Sequence, residues 1–244
     1  GWEIPQFWDG LYGPLNNGWH SEAAGAEHAR PAHRHAALRH FHEALQADPG
    51  ADRLALMAAA ADAATRQHAS GLEPGEFMPF AVGWPALRDA YLGWLAGHEA
   101  EGAVFESAEQ AIEAQRGTLR LKGQIDRIDR LADGTPLLID YKTESLDKTK
   151  ARVKAGSEDT QLPFYALLSG ADQPRAAYLN LAERETPSLK ELNELPQRAA
   201  QLYEGMADDL ARIAAGAPLP ALGEGRVCDW CEARGLCRKD FWKT

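Results

Sequence analysis

The chain has 244 residues, 45% of them hydrophobic and 25% charged, enough to build one large domain with a substantial core. A formal net charge of −10 argues against a generally basic nucleic-acid binder. No apolar run approaches the roughly 20 residues of a membrane span, and the opening G-W-E-I-P-Q-F-W-D-G lacks the basic-then-apolar order of a secretory signal.

In chain order, residues 1–30 read as an irregular arm rich in aromatics (Trp2, Phe7, Trp8, Tyr12, Trp19). Gly1 stands where an initiator Met is expected, which suggests an excised domain or a tag remnant. Arg30 to Gln46 predicts a helix with an apolar stripe at Ala37, Leu38, Phe41 and Leu45. Five of the eight histidines crowd near it: His28, His33, His35, His40 and His42. Asp48-Pro49-Gly50 is a turn, Asp52 to His68 an Ala-rich helix, and Pro85 is placed to open a third helix running to about Ala100. Leu87, Tyr91, Trp94 and Leu95 fall at helical spacing there and read as core. Val104 to Ile112 fits either a first strand or a helix end.

The stretch from Leu119 to Lys142 is the most informative. Leu119 and Leu121 alternate with Arg120 and Lys122, the period of a half-buried strand. Asp133-Gly134 signals a turn, and Pro136-Leu137-Leu138-Ile139 begins a strand buried on both sides, ending in Asp140-Tyr141-Lys142. Alternation puts Asp140 and Lys142 on one face and Tyr141 on the other. Hairpin pairing then sets Asp126 or Asp129 beside Asp140. Two carboxylates at the end of an apolar strand repel unless a cation lies between them. An oxygen-rich site of this kind suits Mg²⁺ or Mn²⁺. Ten Lys/Arg against six Asp/Glu between Arg116 and Lys154 make a positive island in an acidic chain. Gly123 reads as a bulge or a close backbone approach, of DNA among other things.

Beyond it, Ser145 to Asp159 reads as a charged connection holding Lys148, Lys150, Arg152 and Lys154. Glu158 to Ser169 reads as a helix with Gln161 and Tyr165 on one face. Arg175 to Leu181 reads as a strand, Leu189 to Ala215 as a long helix, and Gly216 to Gly225 as a linker. The tail holds the chain's three cysteines, Cys228, Cys231 and Cys237.

G-Q-I-D-R-I-D, then I-D-Y-K-T, then Q-L-P-F-Y resembles the PD-(D/E)XK nucleases, and within them the RecB/AddB-like exonuclease domains of DNA-repair helicase-nucleases. The resemblance implies an α/β fold: a restriction-endonuclease-like core, a small mixed sheet of about four strands flanked by helices, and an N-terminal helical cap. It implies metal ligands at Asp126, Asp140 and the backbone carbonyl of Tyr141, a catalytic Lys142, and DNA-positioning roles for Gln161 and Tyr165. The family's first motif, a helix reading H-x-x-L-x-x-F, falls on His35 to Phe41, making His35 a further ligand, with His33 and His40 as alternative registers. Asp129, between Arg127 and Arg130, reads as a structural partner. Such nucleases often carry another acidic residue on the preceding strand; Glu109 is the nearest match, but its loose spacing keeps it out of the ligand set.

Relatives of the AddB type hold a [4Fe-4S] cluster on three C-terminal cysteines and one upstream. Cys228, Cys231 and Cys237 match the three, whereas no upstream Cys is present, so the set is incomplete. The expected organisation is an arm at 1–30, a nuclease domain at 31–225 with a helical insertion at about 48–102, and a Cys-containing tail at 226–244. The expected activity is cytoplasmic, Mg²⁺- or Mn²⁺-dependent DNA hydrolysis, with a helicase domain or subunit as partner. No G-x-x-x-x-G-K-[ST] loop is present in the chain, so a helicase would lie elsewhere. The alternatives are a non-catalytic DNA-binding or scaffolding module of such a complex, and a zinc site on His33, His35, His40 and His42.

Overall fold

A computed structural model describes residues 25–68, 74–182 and 186–218. The described residues up to Tyr203 form one compact unit, and those from Glu204 on a second. Within the first unit, three helices, α1 (Gly25–Ala47), α2 (Arg53–His68) and α3 (Pro74–Ala100), precede a five-stranded sheet. The strands are β1 (Val104–Arg116), β2 (Leu119–Arg130), β3 (Pro136–Lys142), β4 (Arg175–Asn180) and β5 (Ser188–Glu191), in that spatial order. Helices α4 (Leu146–Arg152) and α5 (Gln161–Ser169) form the crossover from β3 to β4, the one parallel pair in an otherwise antiparallel sheet. Helix α6 (Leu195–Ala214) begins in the first unit and ends in the second.

The α/β mixed sheet flanked by helices agrees with the expected architecture, with five strands instead of about four. The extra strand comes from Leu189 to Glu191, expected as helix. Its register, Ala177↔Glu191 to Asn180↔Ser188, satisfies the outer backbone edge of β4. Two further boundaries differ. Pro85 lies inside α3 instead of opening it, because burying Trp84, Leu87, Tyr91 and Leu95 outweighs one missing backbone donor. The connection after β3 contains α4, whose Arg152 binds Glu144 and Asp159 at 2.6 Å each. Arg152 is thereby held within the fold, while Lys148, Lys150 and Lys154 carry the segment's remaining cations.

Strand alternation divides the sheet's side chains between two layers. Leu137, Ile139 and Tyr141 of β3 and Ala177 and Leu179 of β4 join Ala37, Leu38, Phe41, Met57, Tyr91 and Leu95 in one apolar core. Asp140 and Lys142 point the other way, where α5 lies. Strand β3 is buried along its length, as its apolar run predicts. The turn after β2 closes through Leu131 N–H to Thr135 O at 2.9 Å, with Gly134 at φ 84° and Asp133 accepting from the Thr135 N–H at 2.8 Å. A side chain at that φ is strained, so glycine fits the turn.

On the helix-facing side of β2 sits Arg127, 1% exposed. Its Nε donates to Asp129 at 2.7 Å, and its Nη1 donates to His42 Nε2 at 2.7 Å and to Tyr91 Oη at 2.6 Å. The guanidinium also lies over the rings of Trp94 and Phe105, 5.5 and 5.6 Å from their centres. Asp129, fully buried, takes a second bond with His98 Nε2 at 2.9 Å. Burial, with Arg127 beside it, holds the His42 imidazole well below its usual range, so it stays neutral and accepts. Asp129 is thus a core partner of Arg127, as expected, while Arg130 pairs instead with Glu106 at 2.5 Å.

Replacing Arg127 by Leu leaves the Asp129 carboxylate without its main counter-charge and should cost about 3–5 kcal/mol in urea unfolding. Arg127→Leu combined with Asp129→Leu should be less costly than Arg127→Leu alone.

Candidate functional site

The register of β2 against β3 runs Arg127↔Ile139, Ile128↔Leu138. One step further, Asp126 lies opposite Asp140 on the α5 side of the sheet. The Tyr141 backbone N–H donates to Asp126 Oδ2 at 2.9 Å. Tyr165, on α5, places its hydroxyl 3.2 Å from both Asp126 Oδ1 and Asp140 Oδ1, one proton facing two carboxylates. Lys142 Nζ stands 2.7 Å from Asp140 Oδ2. Gln161 binds both ends of this pair: its Oε1 accepts from Lys142 Nζ at 2.6 Å, and its Nε2 donates to Asp140 Oδ1. A residue spacing of four on α5 aims Gln161 and Tyr165 at the same place.

Helix α1 brings His35 to the end of the carboxylate pair. Its Nδ1 lies 3.5 Å from Asp126 Oδ2 and 3.5 Å from Glu109 Oε1, and its ring meets Tyr141 edge-on at 5.5 Å. His35, Glu109 and Asp126 each offer a ligand atom within 4.8 Å of the others. Glu109 therefore stands at the centre that loose sequence spacing kept it out of. The other histidines of α1 go elsewhere. His33 Nε2 lies 2.8 Å from Thr65 Oγ1, His40 Nε2 lies 3.4 Å from Gln67, and His42 belongs to the Arg127 network. The four histidines of the zinc alternative thus have separate surroundings.

The electrostatics match the crowding. Burial and the nearby Asp126 charge raise the Asp140 carboxyl to about 6 against the pull of Lys142. Burial likewise raises Asp126, while His35 opposes it. Burial alone would lower the His35 imidazole, but Asp126, Glu109 and Asp140 reverse this and hold it up at about 9. The pocket therefore attracts positive charge strongly. Burial and the two aspartates push the Tyr165 phenol well above its usual range, so it remains a donor.

Two buried carboxylate oxygens face cationic side chains: Glu109 Oε1 lies 3.5 Å from His35 Nδ1 and Asp140 Oδ2 lies 2.7 Å from Lys142 Nζ. An acidic, oxygen-rich cluster with such oxygens fits a hard divalent cation. Imidazole at His35 suits Mn²⁺ better than Mg²⁺.

Gly123 is a close approach of α5 to the strand. A Cβ there would lie 2.9 Å from Leu168 Cδ2 and 3.2 Å from Phe164 Cε1. Cys228, Cys231 and Cys237 lie outside the described residues, and the iron-sulfur expectation with them.

Replacing Tyr165 by Phe removes the one hydroxyl shared by the two carboxylates. A charge-assisted hydrogen bond contributes roughly 1.5–3 kcal/mol, so Mn²⁺ binding measured by calorimetry should weaken by about tenfold or more with the circular dichroism spectrum unchanged.

Nine solved protein chains resemble this one in structure. One of them, described as "Crystal structure of SSO0001", has a TM-score of 0.33 and 17% sequence identity, covering 89% of this chain and 88% of that one. No curated protein matches the chain. The family model of the PD-(D/E)XK nuclease superfamily matches residues 32–238, a span that includes α1 from residue 32 on, with His35, the hairpin and α5. On that match, and with a mixed sheet that carries an acidic cluster beside the D-Y-K strand end, the chain belongs to the PD-(D/E)XK nuclease superfamily.

Proposed function

We propose that the protein is a divalent-metal-dependent deoxyribonuclease, an exonuclease domain of the RecB/AddB-like kind that acts in recombinational DNA repair beside a helicase domain or subunit. The observation that carries the reading is the convergence of Asp126 and Asp140, joined by Tyr165 and flanked by Lys142, on one face of the sheet. Asp126, Asp140, His35 and the Tyr141 carbonyl would hold Mg²⁺ or Mn²⁺, with Glu109 added to the set because it faces His35. Such an ion supplies Lewis-acid polarisation of a phosphate and lowers the pKa of a bound water.

The chain's own residues do the rest. Lys142 aligns the attacking water and offsets negative charge developing on the phosphate oxygens as the P–O3′ bond breaks. Gln161 fixes that ammonium against Asp140, so that one amide sets the distance between ligand and cation. Tyr165 keeps the two carboxylates at a common height below the substrate. Lys148, Lys150 and Lys154, in and just after α4, supply counter-charge for the DNA backbone in an otherwise acidic chain. The domain limits of 31–225, with an arm at 1–30 and a cysteine tail at 226–244, belong to this proposal, as does a cytoplasmic location. Among the described residues no helix is long and apolar enough to cross a membrane.

The test is digestion of end-labelled linear DNA and closed circular DNA with Mg²⁺ or Mn²⁺. The wild type should release nucleotides from linear DNA, spare the closed circle and stop on addition of a chelator. Asp140→Ala and Lys142→Ala should each lose at least about a hundredfold in rate, the order of one electrostatic stabiliser. Undiminished cleavage by both variants contradicts the assignment, and cleavage of the closed circle contradicts the exonuclease part of it.

A further inference from the structure

Strand β1 departs from regular geometry at one residue facing the site. Ala108 pairs with Arg127 and Gln110 with Ile125, so Glu109 falls opposite Asp126. Its φ is 52°, in the left-handed region that a residue with a Cβ adopts only when its surroundings enforce it. Only one other described non-glycine residue, Gln173, shares that feature.

The enforcing contact comes from Gln124, two residues before Asp126 on β2. Its Nε2 donates to the Glu109 backbone carbonyl at 2.7 Å and to the Glu109 carboxylate Oε2 at 2.6 Å. An amide nitrogen carries two hydrogens, so both bonds form at once. One grips the strained peptide and the other grips the side chain. What remains of the carboxylate is Oε1, buried, accepting no hydrogen bond and 3.5 Å from His35 Nδ1.

We infer that Gln124 is a positioning residue that clamps Glu109 in its left-handed conformation and presents Glu109 Oε1 to the divalent cation shared with His35 and Asp126. The inference rests on the metal-site reading above. A side chain without a donor at 124 frees the Glu109 carboxylate to turn outward, because Gln124 itself lies at the exposed rim of the sheet. The effect belongs to the outer layer of a metal site, where losing one orienting hydrogen bond typically weakens binding by about 10–100-fold.

The test is Mn²⁺ titration, by calorimetry and by electron paramagnetic resonance, of the wild type, Gln124→Leu, Glu109→Gln and the double variant, with thermal melts of each. Gln124→Leu should keep the wild-type melting temperature and bind Mn²⁺ about tenfold more weakly. The double variant should bind no more weakly than Glu109→Gln alone, because Gln124 acts only through Glu109. Wild-type affinity in Gln124→Leu, or additive losses in the double variant, overturns the role of Gln124 while leaving the metal site standing. Absence of Mn²⁺ binding by the wild type overturns the site itself, and the inference with it.

Discussion

Two carboxylates that repel each other are held side by side in a place water barely reaches. Antiparallel pairing of β2 with β3 puts Asp126 opposite Asp140, and both are less than a tenth exposed. Hydrophobic burial of β3 drives the strands together, and the price is the electrostatic cost of the pair, visible in the upward push on both groups. The surrounding elements supply donors and positive charge at that point. Helix α5 delivers a phenol and an amide, β3 its own lysine, and α1 an imidazole. Gly123, lacking a side chain, leaves room for Phe164 and Leu168 and so lets α5 lie close enough for Tyr165 to reach both aspartates.

The same two turns of sequence serve opposite layers. In β2, Asp126 faces the site while Arg127 and Asp129 face the helical core, where Arg127 links β2 to His42 of α1 and Tyr91 of α3. Buried ion pairs contribute little net stability, but breaking one is costly. The arrangement ties α1, through His42, and α3, through Tyr91, to β2 at defined atoms. Tyr91 also lies 3.4 Å from the Tyr141 hydroxyl, so the residue whose backbone N–H holds Asp126 is tied to this network.

Much of this was legible in the sequence because the signals were local and periodic. Two-residue alternation, the Asp133-Gly134 turn and the end of an apolar run place Asp140 and Lys142 on one face with Asp126 or Asp129 beside them, and the family resemblance picks out Asp126. The four-residue spacing of Gln161 and Tyr165 adds two more. Glu109 was legible only as the nearest match to an acidic residue on the preceding strand, since its approach to His35 and Asp126 depends on a positive φ that no residue pattern announces. The meaning of Gly123, whose neighbours are forty residues away in the chain but in contact in the fold, was not legible. Leu189 to Glu191 read as helix by composition and became strand because β4 offered an unpaired edge, a tertiary cause outranking local propensity. Pro85 failed as a helix start for a similar reason: the buried stripe that follows it extends backward past it.

Anomalous diffraction from crystals soaked in Mn²⁺ tests the central claim most directly. A manganese peak should lie between Asp126 and Asp140, within coordination distance of His35 or Glu109, and vanish from crystals of Asp126→Asn combined with Asp140→Asn. A peak elsewhere on the molecule, or none at saturating Mn²⁺, would show that these acidic side chains meet for a reason other than holding a metal.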